Sequence, residues 1–227
     1  MTRIMPHDAA LYCVPLMHTL IGTSKWDLDT PALCVDLEAL ERNIATMQTR
    51  LTAMGVASRP HGKSHKCPAI AKLQLAGGSI GICAAKISEA EVFSASGIGA
   101  ILMTTSNVTA NKIRRAMAIR KTHPQFIQAV DYPQNARDLD AAAAEAGIVA
   151  DVVVDVAIGA RSGIPAGDQA LALGQLIDTL PHLKLRGIIS YDGSAQHIKG
   201  FMKRRDQTLA RFQPSLATHE RDRKSVV

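Results

Sequence analysis

Aromatic side chains are scarce in this 227-residue chain, which has four Phe, three Tyr and one Trp, 4% of its residues. That shortage argues against a stacking platform for single-stranded nucleic acid, where aromatics alternate with basic groups. Cysteines number only four, Cys13, Cys34, Cys67 and Cys83, and no two stand in a C-x-x-C pair. The thiols lie in or beside apolar runs, as buried free cysteines do, and a reducing cytoplasm is the expected compartment. No apolar run is long enough to span a bilayer. The nearest, residues 9–21 (AALYCVPLMHTLI), is interrupted by Pro15 and His18 and lacks a persuasive cleavage site. Membrane partners and export are accordingly not expected.

What is plentiful is alanine, within a 47% hydrophobic composition that can fill a whole core. The net charge of +6 invites a nucleic-acid reading, so its location matters. From Lys199 to Val227 eight bases face three acids, an excess of +5, which leaves about +1 for the rest of the chain. A basic face for phosphate backbones should spread over a folded surface, and no nucleic-acid partner is expected. Residues 1–28 read as an N-terminal extension, with Met17 as an alternative start, because organised patterning begins only near Asp29.

From there β-type runs alternate with amphipathic helical runs. The strands expected are 31–37, 58–63, 80–86, 100–105, 126–132, 151–157 and 185–193. Helices are expected at about 40–54, 68–76, 88–96, 109–121, 133–146 and 167–180, with a basic helix-like stretch after Gly200. Several strands are apolar on successive residues, as strands covered on both faces are. Repeated βα units leave a doubly wound sheet or a (β/α)8 TIM-type barrel. No Gly-x-Gly-x-x-Gly follows the first strand, which counts against the dinucleotide fold. Polar residues gather at strand C-terminal ends, among them His61, Lys63, Lys86, Thr104, Thr105, Asp131, Arg161, Tyr191 and Asp192, where a barrel carries its active site. The expected fold is α/β, an incomplete TIM-type barrel whose βα units stop short of eight, with about six barrel strands implied by the family resemblance that residues 29–44 and 59–98 carry.

The densest constellation is Arg59-Pro60-His61-Gly62-Lys63-Ser64-His65-Lys66. So many bases at one strand end imply solvent or an anion nearby. Lys63 follows Gly62, which lets a bulky group come close to the backbone. A strand-end lysine among cations is a candidate Schiff-base former, its amine made nucleophilic by neighbouring charge and partial desolvation. From the residue chemistry alone a solvated basic loop fits as well. His61 and His65 could orient a cofactor, move protons or brace the loop. Asp155 reads as a hydrogen-bonded partner inside the barrel, and Ser88-Glu89-Ala90-Glu91 as a helix start whose acids complement the dipole.

The stretches DTPALCVDLEALERNI (29–44) and RPHGKSHKCPAIAKLQLAGGSIGICAAKISEAEVFSASGI (59–98) closely resemble the D-threonine aldolase/D-serine dehydratase family. These are relatives of alanine racemase, fold type III pyridoxal-phosphate (PLP) enzymes, and the likeness runs to about residue 200. It implies that Lys63 carries PLP covalently, that the barrel begins at 58–63, and that the strand at 31–37 belongs to a C-terminal β-domain. Strands seven and eight and that domain would be missing here. The resemblance also implies that Arg161 lies near the cofactor ring or substrate, although Asp155 to Arg161 is one residue longer than the usual spacing. Tyr191 corresponds to a tyrosine beside the cofactor, His197 to the histidine that follows it, and Gln196 lies between them. The implied reaction is PLP-dependent lysis of a D-β-hydroxy amino acid. An aldolase would cut Cα–Cβ of D-threonine or 3-hydroxy-D-aspartate to glycine and an aldehyde. D-serine dehydration and non-catalytic PLP binding are the alternatives. A divalent metal is implied through the missing domain, with no ligand set in this chain, and the oligomer would be a monomer or homodimer. Residues 29–221 are thus read as the PLP-binding barrel. The last six, Asp222 to Val227, can be written as codons that spell a common sequencing adapter, and are read as adapter read-through.

Overall fold

The computed structural model describes residues 22–159 and 162–225. It divides into two compact units, Met1–Asn43 and Ile44–Val227. In the first, a short 3-10 turn (Lys25–Asp27) is capped by Ser24, whose side chain accepts from the Trp26 amide. The strand expected at 31–37 does not form. Residues 32–36 have no regular structure, and helix α1 (Leu37–Ala53) begins three residues earlier than its periodicity suggests. Two causes combine. A strand needs a partner for its backbone groups, and no strand of this unit is described. Asp36 acts instead as an N-cap, accepting from the Ala39 amide at 2.9 Å. Leu33, Val35 and Leu37 are left exposed.

The second unit is a run of βα repeats. Helix α2 (Pro68–Ala76) is followed by β1 (Ile82–Ala84), α3 (Ile87–Ala95), β2 (Ile101–Met103) and α4 (Ala110–Thr122). Then come β3 (Ile127–Val130), α5 (Pro133–Ala146), β4 (Ala150–Ala157), a two-residue β5 (Ile164–Pro165), α6 (Asp168–Asp178), β6 (Leu183–Ile189) and α7 (Phe201–Ser225). Helix boundaries follow local chemistry. Pro68 and Pro133 occupy the first turn, where no amide hydrogen bond is lost. Thr109 caps α4 through the Lys112 amide, and Gly147 closes α5 at φ +67.

All strand pairings are parallel, in the order β1-β2-β3-β4, with β5 and β6 both on β4. The segment expected as the first barrel strand, 58–63, pairs with β1 through a single bridge, His61 to Cys83. Pro60 accounts for this: it can accept through its carbonyl from Cys83, 2.8 Å, but has no amide to return a bond. With that edge counted, six strand segments each precede a helix, as in a partial (β/α) barrel. Ile82, Ile101, Met103, Val130, Val152, Val154 and Val156 form one buried cluster with the helices. Cys83, Ala129 and Val153 are also buried but stand outside that cluster, on the alternate face. Asp155 is one pleat further along β4 from Val153, so the same inner face leads up to the strand ends. Among the described residues, no helix is long and apolar enough to cross a membrane.

Candidate functional site

The lysine of the basic segment stands in a 3-10 turn (Gly62–Ser64) at the end of the bridge strand. Its place is fixed from below. A Cβ on Gly62 would sit 2.4 Å from Cζ of Phe93, a ring 1% exposed on α3. The bulky group that Gly62 admits is therefore the protein's own Phe93 ring. Burying such a ring contributes about 1.5–3 kcal/mol, and it packs directly under the lysine's turn. His61 caps the turn: its Nδ1 accepts from the Lys63 amide at 3.3 Å. Nδ1 must then be unprotonated, so neutral His61 carries its proton on Nε2, which lies 3.3 Å from Thr104 Oγ1. The Thr104 hydroxyl passes the chain on by donating to the carbonyl of Ala84, 3.1 Å. His61 thus ties the lysine's backbone to the ends of β1 and β2.

His65 has a different role. Its Nδ1 accepts from the Cys67 amide at 3.1 Å, its ring meets Phe93 edge-on, and burial pushes its pKa below the ordinary histidine value. It braces the loop. Cys83, on the inner face of β1, donates to the carbonyl of Arg59, and burial pushes its thiol up to about 11 against the pull of Arg59 and Lys63. Arg59 in turn reaches the Ala100 carbonyl at 3.2 Å, filling the space that Gly81 leaves open.

Across the barrel mouth, the Lys63 Nζ lies 5.5 Å from the centroid of the Tyr191 ring, within cation–π range. No described carboxylate forms an ion pair with Lys63. Tyr191 follows β6 and lines a hollow with Asp155 and Ser162. Asp155, 6% exposed, accepts from the Ser162 hydroxyl at 3.0 Å. Asp131, at the end of β3, accepts from Ser106 at 2.8 Å and from the Gly163 amide. Lys63, His61 and Tyr191 are therefore brought to one mouth, with Asp155 beneath. Arg161 lies outside the described residues. Gln196 and His197 sit in the exposed 3-10 turn Ala195–His197 and hydrogen-bond to each other, not to Lys63. Lys66 and Lys86 line a separate hollow with Glu89 and Phe93. Among the described residues, no three His, Cys, Asp or Glu side chains are grouped to hold a metal ion.

Sequence reasoning named the lysine, the tyrosine and the two loop histidines but missed the other supports. Thr104 was visible only as a strand-end hydroxyl. Nothing in the spacing linked Gly62 to Phe93, thirty-one residues on.

The fold is a parallel βα barrel, and it brings a lysine and an aromatic ring together at its strand ends. A model of the alanine racemase N-terminal domain matches residues 35–226, and the chain belongs to that family. The 3-hydroxy-D-aspartate aldolase of Paracoccus denitrificans is 37% identical over 188 residues, 82% of this chain and 49% of that protein. The D-threo-3-hydroxyaspartate dehydratase of Delftia sp. is 34% identical over 75% of this chain and 45% of its own length. The crystal structure of D-threonine aldolase from Filomicrobium marinum superposes with a TM-score of 0.86 at 37% identity, covering 88% of this chain and 55% of that one. The chain spans about half the length of the curated relatives it matches.

Proposed function

We propose that this chain is the lysine-bearing barrel of a PLP-dependent lyase that acts on D-configured β-hydroxy amino acids. The observation that carries the reading is the Lys63 amine, free of carboxylates and held over the Tyr191 ring at the barrel mouth. The residues present fit the cofactor. Lys63 would hold its carbonyl carbon, His61 would hold the lysine's backbone in register, and the Tyr191 face would flank the ring. When bound, PLP supplies an electron sink for charge that develops at the substrate's Cα. Neutral His61, with its proton on Nε2 toward Thr104, braces this wall and leaves Lys63 to exchange protons. Arg161, Tyr191, His61 and Lys63 are the proposed cofactor contacts, with Lys63 the catalytic group.

The main reading is an aldolase that cleaves Cα–Cβ of D-threonine or 3-hydroxy-D-aspartate, which the two aldolase relatives support. The dehydratase relative supports a second, elimination of water from a D-β-hydroxy amino acid followed by hydrolysis of the resulting imine to an oxo acid and ammonia, with D-serine among the candidate substrates. A divalent metal is proposed as second cofactor, its ligands in a C-terminal domain that the relatives' greater length can accommodate. A cytoplasmic setting accords with the free thiols of Cys34, Cys67 and Cys83. The experiment is to resequence the source reading frame across residues 221–227, express its product, and assay it with D-threonine, 3-hydroxy-D-aspartate and D-serine. Glycine with an aldehyde supports the aldolase; ammonia with an oxo acid supports the dehydratase. PLP bound without either product leaves a cofactor-binding protein and ends the lyase reading.

A further inference from the structure

The loop that carries Tyr191 is tied to helix α7. Two residues flank the tyrosine, and each is tied to the same helical turn. Ser190 donates to the Val156 carbonyl at 3.0 Å and shares a 3.0 Å hydrogen bond with Ser215, which is 2% exposed. Asp192 accepts from one Arg211 nitrogen at both carboxylate oxygens, 3.1 and 3.0 Å. Its side chain is 3% exposed. Arg211 and Ser215 are four residues apart, hence neighbours on one face of α7. The Ser194 hydroxyl and amide also donate to Asp192, at 2.5 and 3.1 Å, and Arg211 reaches the same hydroxyl. Between these anchors Gly193 leaves room for the ring: a Cβ there would stand 2.7 Å from Tyr191 Cε1.

We infer that Asp192 and Arg211, seconded by Ser190 and Ser215, are positioning residues that latch the Tyr191 loop to α7 and so set the ring against Lys63. The inference rests on the reading of Lys63 and Tyr191 as one site, and it adds a helix remote from the lysine to that site's machinery. Side chains on either side of Tyr191 grip the helix, and Tyr191 is left to face the lysine. The hydrogen bonds from Ser194 and Arg211 hold the Asp192 carboxyl below the usual carboxylate range, so the latch stays ionised at neutral pH.

The experiment follows the rate at which an acylating reagent modifies Lys63 in the 227-residue chain, read by peptide mass spectrometry at fixed pH without PLP. Tyr191→Leu removes the ring that stabilises the ammonium, and the Lys63 rate is expected to rise about three-fold. Arg211→Gln should reproduce that rise with the helix content unchanged. The double variant should go no further than either single change, and Arg211→Lys should fall between. Asp192→Asn, the latch broken from the loop side, repeats the measurement should Arg211→Gln fold poorly. Wild-type rates in both latch variants while Tyr191→Leu is raised, or effects that multiply in the double variant, would overturn the latch. So would an unchanged rate in Tyr191→Leu itself. Because no cofactor is added, the outcome is independent of whether Lys63 proves to carry PLP.

Discussion

The two walls of the site are built in different ways. The Lys63 wall is held by close packing and backbone hydrogen bonds: Gly62 against Phe93, His61 against the Lys63 amide and Thr104. Its supports are buried or half-buried and come from the first strands of the barrel. The Tyr191 wall is held by an ion pair and hydroxyls in which the Asp192 side chain and Ser215 are buried but Arg211 is half-exposed, and the tyrosine after β6 is itself exposed. Packed walls tolerate no added volume, whereas exposed ion pairs contribute little energy each and can shift. The difference suggests a division of labour. Close packing keeps the lysine's backbone in place, and polar bonds to α7 hold the loop that carries the aromatic face opposite it.

The comparison can be broken most sharply at its centre. Lys63→Ala should leave no covalent cofactor signal at all when the protein is mixed with PLP and reduced, while Lys66→Ala and Lys86→Ala, changed at the neighbouring hollow, should keep it. The next effect probes dryness. With its thiol pushed from 9.0 to about 11, Cys83 carries about a hundredfold less thiolate than an ordinary cysteine at neutral pH. Burial also shields the Cys83 sulfur, so iodoacetamide should label exposed Cys34 faster than Cys83, as read by mass spectrometry. The folded value lies above the unfolded one, so this thiol's contribution to stability is complete below about pH 9. It is lost as pH rises through about 11.

Third, Gly62→Ala should cost about 1–3 kcal/mol in chemical denaturation, because the new methyl meets the Phe93 ring, and Phe93→Leu in the same chain should recover part of the loss. The smallest effect belongs to the other wall. Asp192→Asn should change stability by less than about 1 kcal/mol. Its sign is set by a folded pKa below the ordinary 3.8: the contribution is present above that value and fades as pH falls through the lower folded one. Comparing melts of wild type and Asp192→Asn between neutral pH and pH 3 should show the two curves converging at the acid end. Equal sensitivity of both walls to these changes would erase the distinction between them.

Much of the fold was legible because its elements are signalled locally. Pro68 and Pro133 at helix starts and Gly97 and Gly147 after helix ends set boundaries that the structure reproduces, with α2 and α5 at the residues expected. The failures have equally local causes. The run 31–37 has strand composition, but a strand is a pairing, and composition cannot supply the partner. Pro60 reduced an expected strand at 58–63 to one bridge. At the site, the run 59–66 drew attention by its density of charge, but its chemistry fitted a solvated loop as well, and only the family resemblance singled out Lys63. Its counterparts were harder to see, since Arg211 and Ser215 reach Asp192 and Ser190, the neighbours of Tyr191, only because α7 folds back beside β6, and a basic helix reads the same whether it latches a loop or merely faces solvent. Ser162 likewise finds Asp155, seven residues back, in a pairing that periodicity does not encode.

The most direct measurement is to incubate the chain with PLP, reduce it with borohydride and map the pyridoxyl group by peptide mass spectrometry. The account predicts a single modified site, Lys63, in the peptide that spans His61 to Lys66. Modification of Lys66 or Lys86 instead, or a label scattered across the surface lysines with Lys63 unmodified, would contradict it.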